Sequence, residues 1–292
     1  MGKVYEALKK AEADRNIGGP TSVPVGDISR RREKNGRGLD FIEYSLNASD
    51  SSDNENRNRE LAQDPAIRRN LLKPNRELSV DPSRIASQLI TFQSVQTDAA
   101  EEYNRLAVRL ITAAAERPIK RVLVASAEHG DGRTSITLNL ACALAKAQRR
   151  VLVIDTDLHR PSLLRFLGLS AEVGLNDAVA KSASAGSALL RIQPYGFNLL
   201  PTREHVQNPA ELLSSGSFAE MLDLLEEDYD FILFDSPPLL RVADSDLLIR
   251  QTHATVLVIR AGRTKSGQLG RAIAALSPEK FLGVVLNRTV VS

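Results

Sequence analysis

From about Val80 onward, short apolar runs alternate with segments whose apolar residues recur three and four positions apart. The short runs are β-branched or leucine-rich and show little polar alternation, the signature of strands buried on both faces. They predict strands at Arg121–Ser126, Val151–Asp155, Phe197–Leu200, Phe231–Asp235, Ala254–Arg260 and 283–287. Between them the helical spacing predicts helices at 97–115, 134–147, 161–167, 209–225, 242–251 and 266–276. The first of these carries Ala100, Tyr103, Leu106, Ala107 and Leu110 on one face. Strands alternating with helices imply a parallel sheet with right-handed crossovers and helices on both faces. The expected fold class is therefore α/β.

Ahead of this region the pattern changes. Val4, Tyr5 and Leu8 form a narrow stripe among Lys3, Lys9 and Lys10, which predicts a short amphipathic N-terminal helix over 1–16. An isolated helix of that length is marginal in water, so it reads either as a frayed terminus or as a docking helix. Residues 17–79 are poor in large apolar side chains and carry Gly18-Gly19-Pro20 and Arg30-Arg31-Arg32-Glu33-Lys34. Such composition cannot bury enough apolar surface to offset ordering entropy, so a disordered linker is expected. The folded domain is expected over 80–292.

Composition narrows the chemistry. The 292 residues hold 38 Lys and Arg against 36 Asp and Glu, and the net charge of +2 gives no general pull toward nucleic acid. Aromatics are 4% with no Trp, which argues against base-stacking surfaces. One cysteine, Cys142, excludes an internal disulfide, and the four histidines lack metal-ligand spacing. No apolar run reaches the ~18–20 residues needed to span a bilayer, and no secretory signal opens the chain. A soluble chain is expected, with any membrane contact through a partner or a surface helix.

Three strand ends carry groups that suit nucleotide chemistry. After the first main strand comes Ser126-Ala127-Glu128-His129-Gly130-Asp131-Gly132-Arg133-Thr134-Ser135. A phosphate-binding loop needs small residues so that backbone N–H groups can converge, a following helix N-terminus, a cation, and a hydroxyl for Mg²⁺. Gly130 and Gly132, Arg133 and Thr134 meet those needs. His129, Asp131 and Ser135 complete the candidate phosphate-binding stretch. An ordinary strand–turn–helix junction fits this stretch too. The next strand ends in Asp155-Thr156-Asp157, hard oxygen ligands of the kind Mg²⁺ takes, and a helix-capping acid pair fits equally. The apolar run Phe231–Phe234 ends in Asp235, the physical pattern of a Walker B acid. Taken together, the three strand ends point to nucleotide binding.

With these residues in place the chain resembles the deviant Walker P-loop ATPases, and among them the bacterial tyrosine kinases of capsule and exopolysaccharide assembly. Leu158-His159-Arg160-Pro161-Ser162-Leu163, Gly174-Leu175-Asn176-Asp177, Asn208-Pro209-Ala210-Glu211-Leu212-Leu213 and Gly283-Val284-Val285-Leu286-Asn287 all look like segments of that family. Val4-Tyr5-Glu6-Ala7-Leu8-Lys9-Lys10 is similar to an N-terminal helix of some members. The resemblance implies a P-loop NTPase fold, ATP and Mg²⁺ as cofactors, and tyrosine autophosphorylation that regulates polysaccharide polymerisation. It implies that Thr134, Asp155, Asp157 and Asp235 hold Mg²⁺. Asp155 or Asp157 would position the tyrosine hydroxyl, Arg133 would meet the phosphates, and Asn287 would lie near the adenine. It also implies a cytoplasmic protein at the inner face of the plasma membrane. Its partner would be a membrane polysaccharide co-polymerase, the chain-length determinant, with homo-oligomers formed.

This chain departs from the family's pattern at Arg133, which stands where the P-loop lysine is expected, and at His129, which stands for proline. No tyrosine-rich tail follows Asn287, and on the 97–115 helix Glu101 alone matches the family's ring-forming register, with Arg105 and Arg109 nearby. Three readings follow: an ATP-dependent tyrosine kinase, a nucleotide-binding regulator of the same machinery that does not transfer phosphate, or a partition ATPase of the ParA and MinD type. The last type carries an early loop lysine, where this chain has Ala127-Glu128-His129.

Overall fold

A run that is apolar at every position has no face to give to water, so it folds only where both sides are covered. Three strands with such apolar runs, their polar residues confined to the ends, are buried at each residue: β2 (Arg121–Ser126), β3 (Val151–Asp155) and β6 (Phe231–Asp235). The computed structural model describes residues 73–74, 76–93, 97–180 and 185–288. The expected N-terminal helix and the expected linker as far as residue 72 lie outside the described residues, as does 289–292.

Around that centre lie β1 (Arg76–Ser79), β4 (Leu190–Gln193), β5 (Phe197–Leu200), β7 (Ala254–Arg260) and β8 (Phe281–Asn287). Among the described residues they form one sheet in the order β1-β4-β5-β3-β6-β2-β7-β8. Every pairing is parallel except β4 with β5. The helices are α1 (Asp98–Glu116), α2 (Arg133–Lys146), α3 (Leu163–Leu167), α4 (Leu175–Ala180), α5 (Ala185–Ala188), α6 (Pro209–Ser214), α7 (Gly216–Asp228), α8 (Asp244–Gln251) and α9 (Ser266–Ala274).

Alternating residues of the central strands feed two cores. Leu123, Leu152, Ile154, Ile232 and Phe234 pack with Leu175 of α4, Phe218 and Leu222 of α7 and Leu248 of α8. Val122, Val151, Val153, Phe231 and Leu233 pack on the opposite face with Leu110 of α1, Leu138 of α2 and Leu163 of α3. Helix α2 is buried without a break from Ile136 to Leu144, because α1 and a 3-10 turn (Ile90–Phe92) cover the side that turns away from the sheet. The α/β class with helices on both faces is therefore as expected.

Several boundaries differ from the sequence pattern. Strand β1 falls inside the stretch assigned to the linker, so ordered structure starts before residue 80; its Arg-Glu-Leu-Ser sequence gives no apolar run because it sits at the sheet edge, mostly exposed. The helix expected over 209–225 is two helices. Ser215 is extended (φ −69°, ψ 144°), and its Oγ accepts from Phe218 N at 3.2 Å, so it caps α7 and stops α6. The helix expected from Pro161 starts at Leu163, because the amides of Ser162 and Leu163 are both committed to Asp155.

Candidate nucleotide-binding site

Parallel strands end at one edge of the sheet, so Ser126, Asp155, Asp235, Arg260 and Asn287 come to the same edge. Ligands of open α/β sheets bind outside that edge. The sequence-predicted residues gather there around the turn from β2 into α2.

The turn itself is braced by side chains. Gly130 (φ +84°) and Gly132 (φ +102°) take the left-handed conformation that residues with a Cβ avoid. Asn287 Nδ2 donates to Asp131 O at 2.8 Å, and a Cβ on Gly132 would stand 2.0 Å from that nitrogen. The Asp131 carboxylate is buried and accepts from Glu128 N at 3.0 Å and from Thr264 Oγ1 at 3.0 Å. Asp131 and Asn287 were expected to contact the nucleotide; here their bonds hold the loop that would do so. Ser135, also expected at the phosphates, is buried in the first turn of α2, and its carbonyl accepts from Asn139 Nδ2 at 2.8 Å.

Arg133 is buried (7% exposed), and its fork is already engaged. One terminal nitrogen donates to Ser126 Oγ at 2.7 Å and the other to Asp157 Oδ2 at 3.0 Å, while Nε has no partner. Lysine could not reach two acceptors with one planar group, so this clamp is specific to arginine. It ties the loop to the end of β3.

Thr134 Oγ1 donates to Asp235 Oδ2 at 2.7 Å and lies 3.1 Å from Ser162 Oγ. Asp155 and Asp235 face each other across the β3–β6 pairing. Asp155 Oδ2 accepts from the Ser162 and Leu163 amides at 2.9 and 3.1 Å, and its Oδ1 is buried with no partner among the described residues. Burial and the neighbouring Asp235 charge drive the Asp155 pKa well above the usual carboxylate range. Burial raises Asp235 to about 6, against the pull of Arg133 and Thr134. Asp157 is also raised by burial, with Arg133 opposing.

These oxygens suit Mg²⁺. The orphaned Asp155 Oδ1, the Thr134 hydroxyl and Asp235 are hard donors, and the two strained carboxylates would be relieved by a cation between them. Among the described residues no cluster of three or more His, Cys, Asp or Glu can hold a metal by itself.

His129 stands at the rim, its pKa pushed down by burial and by the charges of Arg133 and Arg160. With His159, His205, Arg160, Arg241 and Asp157 it lines a cleft of about 490 Å³. Ser126, Ser162, His159 and His205 were not predicted as parts of the site. Ser162 carried a readable signal in its place just after the Asp-x-Asp and Pro161; His129 was expected in the loop, whereas His159 and His205, distant in sequence, carried no signal.

Comparison with known proteins agrees with this geometry. The AAA domain family matches residues 119–269. Tyrosine-protein kinase YwqD of Bacillus subtilis is 32% identical over 207 residues, covering 70% of this chain and 87% of the relative. The VpsO kinase domain is 30% identical with a TM-score of 0.58, over 66% of this chain and 98% of that one. The chimerical protein CapA2B2, 24% identical over 72% of this chain and 92% of that one, shares the fold with a TM-score of 0.66. Among the described residues no helix is long and apolar enough to cross a membrane. The chain belongs to the bacterial tyrosine-protein kinase family of P-loop ATPases.

Proposed function

We propose that this protein binds ATP with Mg²⁺ and transfers the γ-phosphate to tyrosine, as part of capsule or exopolysaccharide assembly. The observation that carries the reading is the Thr134–Asp235–Asp155 group beside a left-handed glycine loop. In this reading the amides of 129–135 cradle the β- and γ-phosphates at the start of α2. Thr134, Asp155, Asp157 and Asp235 would hold Mg²⁺, which when bound would neutralise phosphate charge. Asp157 orients the tyrosine hydroxyl and accepts its proton. Arg133 swings part of its fork from Asp157 to the γ-phosphate, so that an ion pair is exchanged for another rather than lost. Catalysis is then positioning plus charge stabilisation.

A membrane polysaccharide co-polymerase is the proposed partner, and it would bring the kinase to the inner face of the plasma membrane. Homo-oligomers through α1, which carries Glu101, Arg105 and Arg109, belong to the same proposal.

A second reading has one specific observation in its favour. Ser126 and Asp157 already occupy the Arg133 fork, which favours a nucleotide-binding regulator that transfers no phosphate. Mg-ATP titration with an ADP-release readout, on the native chain and on Arg133→Lys, separates the two. A kinase releases ADP and forms phosphotyrosine as it stands. A regulator binds ATP without turnover, and Arg133→Lys raises turnover at least tenfold.

A further inference from the structure

Helix α2 starts at the glycine loop and ends, about 20 Å away, at the opposite edge of the sheet. There its last turn meets the segment between Pro82 and Gln93 and the turn that joins β4 to β5. A cavity of about 1060 Å³ lies between them, large enough for a small-molecule ligand. A nucleotide held at the glycine loop does not reach it.

The charge of its wall is one-sided. Lys146, Arg149 and Arg191 line the cavity, and among the described residues no acid does. Across the whole chain bases and acids are nearly balanced, 38 against 36, so this is a local feature. Each cation keeps capacity for an anion. Lys146 Nζ donates to Thr91 O at 2.6 Å, which leaves two of its three donors. Arg149 is exposed just beyond the end of α2. Arg191 meets Glu77 at 3.5 Å, both side chains largely exposed, and such pairs are weak enough to exchange for a better partner.

Beside the cations stands a flat ring. Tyr195 is half-buried, its ring centroid 4.2 Å from that of buried Phe92 and its hydroxyl donating to Phe92 O at 3.1 Å. Phe92 rests in turn edge-on against Phe197 at 6.0 Å. The Tyr195 ring is thus fixed from behind, which makes it a platform for one planar group. A single ring takes one base; it does not make a surface for a strand of nucleic acid.

Gln148 is a third observation. It follows α2 in the left-handed conformation (φ +60°), with its amide donating to Ala145 O at 2.9 Å. Glycine is the usual residue at such a helix end, because a Cβ is strained there. Here a side chain that can both donate and accept occupies the strained position, and it lines the cavity.

We propose that this cavity is a second ligand site, separate from the glycine loop, and that it takes a nucleoside diphosphate. The base stacks on Tyr195, Lys146, Arg149 and Arg191 meet the two phosphates, and Gln148 bonds a polar edge of the nucleoside. Two adjoining phosphates match three cations on one wall better than the separated carboxylates of a peptide do. The protein's own cations supply the whole counter-charge, so this site binds without Mg²⁺. The inference does not rest on the kinase reading.

The test is calorimetric titration of the full chain with uridine diphosphate in EDTA, which withdraws Mg²⁺ from the glycine-loop edge. One uridine diphosphate per chain is expected, bound at least tenfold more weakly in Arg149→Glu and in Arg191→Glu. Pyrophosphate should bind the native chain at least tenfold more weakly than uridine diphosphate, and Tyr195→Leu should weaken the latter at least fivefold. Gln148→Gly should raise the melting temperature yet weaken binding at least threefold, a pair of effects that a purely structural residue would not give. Absence of binding in EDTA overturns the site. So does an affinity that is equal in the native chain, Arg149→Glu and Arg191→Glu, because the ligand is then held elsewhere. Pyrophosphate bound as tightly as uridine diphosphate overturns the nucleoside as part of the ligand. Unchanged affinity in Gln148→Gly overturns the role given to that side chain.

Discussion

The geometry of single residues explains why the loop has its present form. Gly132 is held left-handed with Asn287 pressed against it, so Gly132→Ala meets both a strained backbone and a clash at 2.0 Å. Left-handed strain alone costs about 1–2 kcal/mol. Chemical denaturation should show at least that loss, and calorimetry should show ATP binding weakened more than tenfold. Asp235 makes a pH-dependent prediction. Its folded pKa of about 6 lies above the ordinary aspartate value of 3.8, so the folded state binds more protons than the unfolded chain between those values. The stability it contributes is complete below the unfolded value and is lost as pH rises through the folded one. Asp235→Asn should therefore gain in melting temperature relative to the native chain at pH 8 compared with pH 5. An offset equal at both pH values would contradict the buried-carboxylate account.

At the scale of elements, what was legible depended on how each was stabilised. Strands β2, β3 and β6 were readable because burial on both faces demands unbroken apolar runs. The three acids at the site were readable for the same reason, as they end or follow those runs. Strand β4 carries the short alternation Leu-Arg-Ile-Gln, whereas β1 is held by its hydrogen bonds to β4 and has no apolar pattern. The 3-10 turn was invisible because one side chain fixes it. Asn139 on α2 accepts from Thr91 N and Oγ1, both at 2.9 Å, and donates to Gln88 O at 2.9 Å. Asn139→Ala leaves buried groups unpaired, at about 1–3 kcal/mol for such a group. Denaturant titration should show that loss, with faster hydrogen exchange at Thr91. The core that supports the site should be less forgiving: Leu152→Ala empties a fully buried position on β3, for about 2–5 kcal/mol.

At the scale of the molecule, the sheet gathers its chemistry at one edge and leaves the Arg133 clamp between the glycine loop and Asp157 as the feature that separates kinase from regulator. The clamp resists entry of phosphate only as far as the γ-phosphate fails to replace Asp157 as the guanidinium's partner. The most direct test uses the full chain with γ-labelled ATP and Mg²⁺, counting ADP released against phosphotyrosine formed, with Asp157→Asn and Asp235→Asn as controls. The account predicts ADP and phosphotyrosine in equal amounts, both abolished by either substitution and by removal of Mg²⁺. ADP release without phosphotyrosine, or phosphotyrosine that survives either substitution, would contradict it.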